Sequence, residues 1–399
     1  MKEAVIVGYL RTALSRSRPN DPARDVFSQM RGDELLAKLL PELIKRTGID
    51  AKEIDDFVVG SAMGVGEQWS YGGRMPILLA NLPETIAAKF VDQQCGSSLA
   101  AIEIGSMEIE RGYADIVMVG GYEHMTRVPM GGYTTDKGLI APNMALFMDP
   151  AYSHWDMMTT MNMGLTAEKL FKQSGFTKED MDRWGTRAHN LAAKAQKEGF
   201  FDGEIFPIDA PQMDGKTMKV DKDQAVRTDA TYEGMLELKP AFKKDGVITP
   251  GNSSPLNAAA TSMILMSGET AKKKGLKPMA AIRSFGFAGV DPTIMGVGPV
   301  PASKRALKAA GLEAKDIDYW EINEAFCIVA LNCIKELGID PERVNVMGGG
   351  TAIGHPLGAT GIRLTGTLAR ILEKKGGRYG IANACIGGGQ GIAALIEKV

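Results

Sequence analysis

Charge of a single sign is what this sequence lacks most clearly: 46 Lys and Arg stand against 48 Asp and Glu, a formal charge of −2 over 399 residues. So even a balance creates no broad field for nucleic acid or anionic lipid, and an anionic ligand must be held by local groups. Long apolar runs are missing as well. The start, MKEAVIVGYLRT, has only a four-residue apolar run before Gly8, too short for a signal-peptide core. No later stretch approaches the ~20 residues of a membrane span, so no membrane association and a cytoplasmic location are expected. There are only four cysteines (Cys95, Cys327, Cys333 and Cys385), none in CxxC spacing, so no metal site and no disulfide framework are expected. Each thiol is therefore either core or chemistry.

What is present is ordinary for a globular chain: 44% hydrophobic and 24% charged residues, in a length fitting two or three domains. Its organisation is a duplication. GIDAKEIDDF begins at Gly48 and GLEAKDIDYW begins at Gly311, an offset of 263. Each copy reads as an amphipathic helix, a glycine stop, a short linker and a strand. The helix after Cys95 leads to RGYADIVMVGG and the helix after His355 leads to KKGGRYGIANACIGGG, so the plan continues in both halves. Alternating helices and apolar β-branched strands indicate an α/β fold with largely parallel sheets covered by helices. Residues 1–123 with 251–276 are assigned to an N-terminal half and 277–399 to a C-terminal half. Residues 124–250, rich in Met, Pro, Gly and Asp and broken by short helical stretches near 164–198, read as an inserted loop domain carrying ligand or oligomer contacts.

Around Cys95, an extended stretch turns at Gly96 and Ser97 into a helix, which sets the sulfur at a helix N-terminus where thiolate is favoured. The same residue also reads as a small buried core residue. His355, held between Gly354 and Pro356 on a turn feeding another helix, is placed as a base or hydrogen-bond donor. His189 reads as a helix-surface residue and His154 as part of the irregular middle region. Cys385 ends a strand just before three glycines whose N–H groups can form an oxyanion hole. A phosphate-cradling loop is the rival reading there, but the Lys-Ser/Thr ending of a P-loop is missing. Asn323 can orient a water or cap a helix, and Cys327 and Cys333 read as core packing.

Four segments in this order, QQCGSSLAAIEIG, INEAF, GHPLGATG and CIGGGQG, resemble the thiolase family of acetyl-CoA acyltransferases. The resemblance extends to Arg11 and Thr12, to GGYEHMTRVPMG at 120–131, to MGLTAE at 163–168 and to ITPGNSS at 248–254. It implies a thiolase-like duplicated αβαβα layered fold, two similar halves with mixed, mostly parallel sheets. It also implies a reversible, CoA-dependent cleavage of 3-oxoacyl-CoA, or the Claisen condensation of acetyl-CoA with acyl-CoA, through a cysteine acyl-enzyme. In that scheme Cys95 is acylated, His355 takes its proton, and Cys385 exchanges a proton with the α-carbon. His355 with a water on Asn323 forms one oxyanion hole, and the backbone N–H groups of Cys95 and Gly387 form the other. The expected CoA contacts are Arg227 near the nucleotide end, Ser254 and Met163 along the pantetheine arm, and Ala325 and Phe326. Coenzyme A acts as a substrate and nothing is bound permanently. A homodimer or homotetramer is implied, with region 124–163 as one contact.

Some positions depart from the family pattern. GNASGxNDGAA is written GNSSPLNAAAT here, with Pro255 for a glycine and Ala258 and Ala259 for Asp-Gly, and Met347 replaces the asparagine of NxNGG. Asn162 stands where short-chain biosynthetic members carry histidine. These changes and GGYEHMTRVPMG favour a degradative role in fatty acid β-oxidation over a biosynthetic acetoacetyl-CoA thiolase. Two other readings are a ketoacyl synthase, which needs a second active-site histidine and is opposed by INEAF and Cys385, and a non-catalytic thiolase-like CoA-binding protein.

Overall fold

Apolar, β-branched runs such as AVIVGYLR and IVMVGGYEH become strands because both of their faces are covered; every residue of Ile116–His124 is buried. The computed structural model describes residues 2–129 and 142–399. The described strands are β1 (Ala4–Arg11), β2 (Asp56–Gly60), β3 (Ala87–Val91), β4 (Ile116–His124), β5 (Ile208–Pro211), β6 (Thr217–Val220), β7 (Ala258–Ser267), β8 (Ala280–Gly289), β9 (Tyr319–Ile322), β10 (Tyr379–Ile386) and β11 (Gln390–Glu397). Nine of them make one sheet in the order β3-β2-β4-β7-β1-β8-β11-β10-β9, while β5 and β6 pair by themselves.

The duplication is visible in that order. The flank β3-β2-β4-β7-β1 is mirrored by β8-β11-β10-β9, and an isolated parallel bridge from Trp320 to Val344 stands where β3 has its counterpart. The halves join edge to edge through only two residue pairs, Val5 with Ala281 and Ile6 with Ala280. The sheet is mixed. Parallel pairing is confined to the outer positions, β2 with β3 and β4 and β9 with β10, while the pairings between β4 and β10 are antiparallel. The proportion of parallel pairs is thus lower than helix–strand alternation indicated. The reason is local on the C-terminal side: β10 returns as β11 through Gly387–Gly389, a loop too short for anything except a hairpin.

Helices form the remaining layers. Gly32–Thr47 and Pro299–Ala310 end at Gly48 (φ 68°) and Gly311 (φ 67°), the left-handed stops expected of both copies. They cover the outer faces: Leu36, Leu39 and Leu43 pack with Phe57 and Met118 on one side, and Ala302, Ala306 and Leu307 pack with Trp320 and Ile381 on the other. Between the flanks lie the helices Ser97–Arg111 and Thr360–Lys375, related by the same offset of 263. Leu99, Ile102, Ile362 and Leu368 form one core with Val58 and Val119 of the first flank and Ala384 and Ile392 of the second. Five layers result, with the central pair enclosed by sheet on both sides.

Between β4 and β7 the chain builds helices of 12 residues (Met163–Ser174) and 20 residues (Lys178–Lys197), more regular structure than the composition indicated. This segment is bound to β1 through charge. Arg11, fully buried, donates to Glu204 at 2.6 Å and to both oxygens of Asp223 at 2.7 and 3.0 Å. Parts of GGYEHMTRVPMG and of region 124–163, namely residues 130–141, lie outside the described residues.

The central helices approach so closely that only glycine fits. A Cβ on Gly361 would stand 2.3 Å from the backbone nitrogen of Leu99. Gly361→Ala is therefore expected to lower stability by about 3 kcal/mol, as for an overpacked core, although alanine is the better helix former by about 1 kcal/mol. Urea unfolding of the variant beside the wild type measures it, and an unchanged midpoint would contradict the crossing.

Candidate functional site

Cys95 sits in a single 3-10 turn, Gln94–Gly96, that feeds the Ser97–Arg111 helix. The preceding residue, Gln94, holds a left-handed φ of 47°, a conformation costing ~1 kcal/mol for a non-glycine residue. Side chains stabilise it. Ser97 Oγ donates to the Gln94 carbonyl at 2.6 Å and accepts the Gln93 N–H at 3.0 Å, while Asp92 Oδ1 accepts the Gln94 N–H at 2.9 Å. The sulfur thereby lies near the glycine loop after β10, where the Gly387 backbone N–H favours its charged form. Gly96 lies against Ile386, since a Cβ there would stand 2.5 Å from Ile386 Cδ1. Cys95 and Cys385 are close enough for the charge of one to oppose ionisation of the other.

His355 is fixed from both ring nitrogens. Nδ1 lies 2.6 Å from Thr360 Oγ1, and that hydroxyl gives its only proton to the Pro356 carbonyl at 2.8 Å. Nδ1 must then carry hydrogen and donate, which leaves Nε2 with its lone pair. That lone pair receives the Asn323 amide at 3.2 Å. Asn323 Oδ1, on the same amide, is buried without a partner among the described residues. Its backbone N–H is held by the Asn383 carbonyl at 2.9 Å, on the strand that ends in Cys385. The His355 N–H donates to Asn257 Oδ1 at 2.8 Å, and Gly354 (φ 127°) leaves no room for a Cβ against that same Asn257.

Burial decides the electrostatics. The sulfur of Cys95, at 6% exposure, has its pKa pushed up to about 12 by desolvation, against which the Gly387 N–H acts only partly. Cys385 is driven well above the usual thiol range, first by burial and then by Cys95 and Cys333. His355 falls to about 3, because burial disfavours imidazolium and the buried Arg363 adds like charge. The expectation of a thiolate at rest is reversed: the site rests as two thiols and a neutral imidazole. Desolvation outweighs the helix terminus because a dipole end contributes roughly 0.3–2 kcal/mol.

The expected binding residues divide into two places. Ser254 donates its N–H to the Ala325 carbonyl at 3.0 Å, and Ser253 bridges Phe326, so these residues form one wall beside Asn323. Met163, first residue of a helix capped by Asn162, faces Gly387; a Cβ on that glycine would lie 3.5 Å from the Met163 sulfur. Arg227 stands apart and exposed, its N–H bonded to His189 Nδ1 at 3.1 Å. His189 is buried, contrary to its expected surface position, because its helix packs under the segment carrying Arg227. His154 is exposed against Trp155, and Cys327 and Cys333 are core. Ala258 and Ala259 are buried on β7 opposite His124 and Glu123, and Met347 packs against the core of the first half.

Two buried carboxylates went unread in the sequence as organisers of this site. Glu324 accepts from Trp184 Nε1 (2.8 Å), Asn345 Nδ2 (2.6 Å) and the Thr351 N–H (3.1 Å), and so braces the chain leading to His355. Glu123 accepts the Ala62 and Gly358 N–H groups, both at 2.9 Å, and Gln68 Nε2 at 2.6 Å, and so ties the loop after β2 to the turn after His355. Burial raises its pKa, and these donors pull the other way. Only its place in the GGYEHM segment marked it.

Paired cysteines and an imidazole from both halves of a duplicated α/β fold, gathered in one buried place, define the class of protein. The chain belongs to the thiolase family: Thiolase, N-terminal domain matches residues 4–269 and Thiolase, C-terminal domain matches residues 276–398. A 3-ketoacyl-CoA thiolase of Marinobacter nauticus is 40% identical over 403 residues, covering 100% of this chain and 99% of its own. One from Aliivibrio fischeri is 40% identical with 100% of both chains covered. The crystal structure of the Bacillus anthracis acetyl-CoA acetyltransferase superposes with a TM-score of 0.86 at 35% identity, covering 100% of this chain and 99% of that one.

Two expectations follow from the burial. Unfolded histidine titrates near 6.5, whereas burial pushes folded His355 down to about 3 and folded His189 down to about 4. Below pH 6.5 the unfolded chain takes up protons that the folded one refuses, so stability falls on acidification and levels only at those lower values. The expected slope is about 1.4 kcal/mol per pH unit for each group. Urea unfolding between pH 7 and 5 should show His189→Asn, which can still accept the Arg227 N–H, with a flatter dependence than wild type. Glu123→Gln places an amide NH2 among N–H donors and should lower stability by about 3 kcal/mol at pH 7 in the same assay; a loss under 1 kcal/mol would deny it that role.

Proposed function

We propose that this chain is an acetyl-CoA C-acyltransferase that cleaves 3-oxoacyl-CoA with CoA, giving acetyl-CoA and a shortened acyl-CoA. What supports the reading is the arrangement of the groups: His355 held through Nδ1 by Thr360 at 2.6 Å and through Nε2 by Asn323 at 3.2 Å, with burial raising the pKa of both Cys95 and Cys385 so that each thiol keeps its proton. Cys95 attacks the 3-oxo carbon as its proton passes to Nε2, so that neither ion has to exist alone in a buried place. The backbone N–H groups of Cys95 and Gly387 receive the oxyanion. The C2–C3 bond then breaks, leaving the acyl group on Cys95 and an enolate of acetyl-CoA. Imidazolium His355 and a water on the unpartnered Asn323 Oδ1 hold the enolate oxygen. Cys385 gives its proton to the α-carbon, and its strongly raised affinity for that proton suits it as the acid at rest. CoA finally enters, its thiol proton passes to the Cys385 thiolate, and its sulfur attacks the acyl carbon; the bond to Cys95 breaks, Cys95 takes back the proton held by imidazolium His355, and the shortened acyl-CoA leaves.

Ser254, Ala325, Phe326 and Met163 line the approach for the pantetheine arm, with Arg227 toward the nucleotide. CoA serves as substrate, with no resident cofactor or metal in the scheme. The degradative direction in fatty acid β-oxidation is favoured over acetoacetyl-CoA synthesis by full-length relatives named 3-ketoacyl-CoA thiolase and by Asn162 capping the Met163 helix. The reading also takes in a homodimer or homotetramer and a location in the cytoplasm; among the described residues no helix is long and apolar enough to cross a membrane.

Purified protein given CoA and 3-oxoacyl-CoA of several chain lengths should consume the magnesium-enolate absorbance, and a flat trace at every length would refute the activity. With labelled acetyl-CoA, Cys385→Ser should still trap acetyl on Cys95, while Cys95→Ser should trap none. Peptide mass spectrometry reads both, and an adduct on Cys385 in the wild type would reverse the assignment.

A further inference from the structure

One buried ion pair next to the site takes no part in the chemistry above. Arg363 Nη1 donates to Glu321 Oε2 at 2.9 Å, and the two side chains are 1% and 0% exposed. A buried pair of this kind stabilises a fold no more than packed apolar residues of equal volume, so its presence beside reactive groups points to a demand other than stability. Its place in the chain says which. Glu321 lies on β9 two residues before Asn323, whose N–H continues the pairing with β10 at the Asn383 carbonyl. Trp320 and Ile322 belong to the outer core, so Glu321 and Asn323 share the opposite face, toward the central helices. Arg363 lies on the Thr360–Lys375 helix three residues after Thr360, hence on the same side of it. The two residues that grip the His355 ring, Thr360 at Nδ1 and Asn323 at Nε2, thus each stand beside one member of the pair.

The cation is close enough to act on the ring. After burial, Arg363 is the second influence against imidazolium at His355. The reaction above needs that imidazolium, and a carboxylate beside the guanidinium offsets the opposition. Glu321 is the carboxylate in contact. Its Oε1, like Arg363 Nε and Nη2, has no hydrogen-bond partner among the described residues, so one bond ties the two charges. Burial pushes Glu321 up to about 8, with Glu324 and Glu204 adding to the rise and Arg363 opposing it. Glu204 is engaged elsewhere: it accepts from Arg11 Nε at 2.6 Å and from the Thr367 hydroxyl at 3.2 Å, and it faces Arg370 at 3.1 Å. Tyr9 of β1 is buried and held above the usual phenol range, so it brings no charge.

We propose that Glu321 and Arg363 are positioning residues for His355, with Glu321 the counter-ion that lets the ring take a proton beside a buried guanidinium. This rests on His355 receiving the Cys95 proton in the reaction above. The guanidinium joins the helix of Thr360 to the strand of Asn323, and the carboxylate cancels the charge that this junction brings to the ring. Neither side chain meets a reacting atom in that scheme.

The test is alkylation of Cys95 by iodoacetamide, read by peptide mass spectrometry above the pH at which Glu321 ionises; it needs no substrate. Glu321→Gln keeps the shape but leaves the cation uncompensated, so alkylation should slow about tenfold, equivalent to one pH unit in the ring's proton affinity. Glu321→Gln/Arg363→Gln removes both charges while two amides still span the junction, and it should return to within about threefold of wild type. A purely structural pair predicts the opposite order, because the double variant loses more of it. In thiolysis kcat should follow the same order, with KM for CoA within about twofold of wild type. An unchanged rate in Glu321→Gln, or a double variant as slow as the single one, overturns the proposal. If the wild type cleaves no 3-oxoacyl-CoA, the enzymatic reading fails by itself, and the order of alkylation rates still decides. Should circular dichroism show either variant unfolded, Arg363→Gln replaces it: alkylation faster than wild type supports the counter-ion, and an equal or slower rate rejects it.

Discussion

The close crossing of two helix N-termini is the constraint on which the rest of this molecule depends. Ser97–Arg111 and Thr360–Lys375 touch backbone to backbone at Leu99 and Gly361, and the Ile362 N–H donates to Ser98 Oγ at 3.1 Å. Because Cys95 and His355 precede those helices by only two and five residues, fixing the crossing fixes both. Glu123 adds a second tie by holding Gly358 and Ala62 together on either side. The two halves of the sheet meet through two residue pairs only, so the central helices and the clamps around them carry the alignment of the halves.

That alignment places reactive groups where water is largely excluded, and exclusion sets their protonation. Thiols and imidazole all rest neutral because desolvation is a larger effect than a helix terminus or one N–H donor can offset. A neutral resting site suits a reaction in which charge is made and removed within each step. In the proposed reaction the backbone N–H groups of Gly387 and Cys95 would cost no reorganisation when charge develops. The same burial makes the site a liability at low pH, since neutral buried histidines oppose protonation that the unfolded chain accepts freely.

Much of the fold was legible, for physical reasons that particular segments make plain. The helix Gly32–Thr47, its Gly48 stop and β2 follow from apolar periodicity and from the left-handed conformation that glycine takes without strain. Their copies at Pro299–Ala310, Gly311 and β9 follow at the same offset. Less legible was strand direction, since apolar runs do not report whether the neighbour is parallel. His189 was misread because a helix within the insert has its inner face determined by a partner far away in the chain. Glu123 and Glu324 could not be ranked above other carboxylates, because their significance is a set of donors contributed from distant positions.

By itself the sequence determined the duplication, the alternation of helices and strands, and the types of side chain at each turn that carry chemistry, because these depend on local spacing and on chemical identity. Only the tertiary structure decided which of those groups meet, which nitrogen of His355 holds the proton, and whether Cys95 rests as thiol or thiolate. Those properties depend on burial and on partners hundreds of residues apart, Thr360 and Asn323 around one ring and Gly387 at one sulfur. Desolvation and hydrogen-bond geometry exist only once the chain has closed around them.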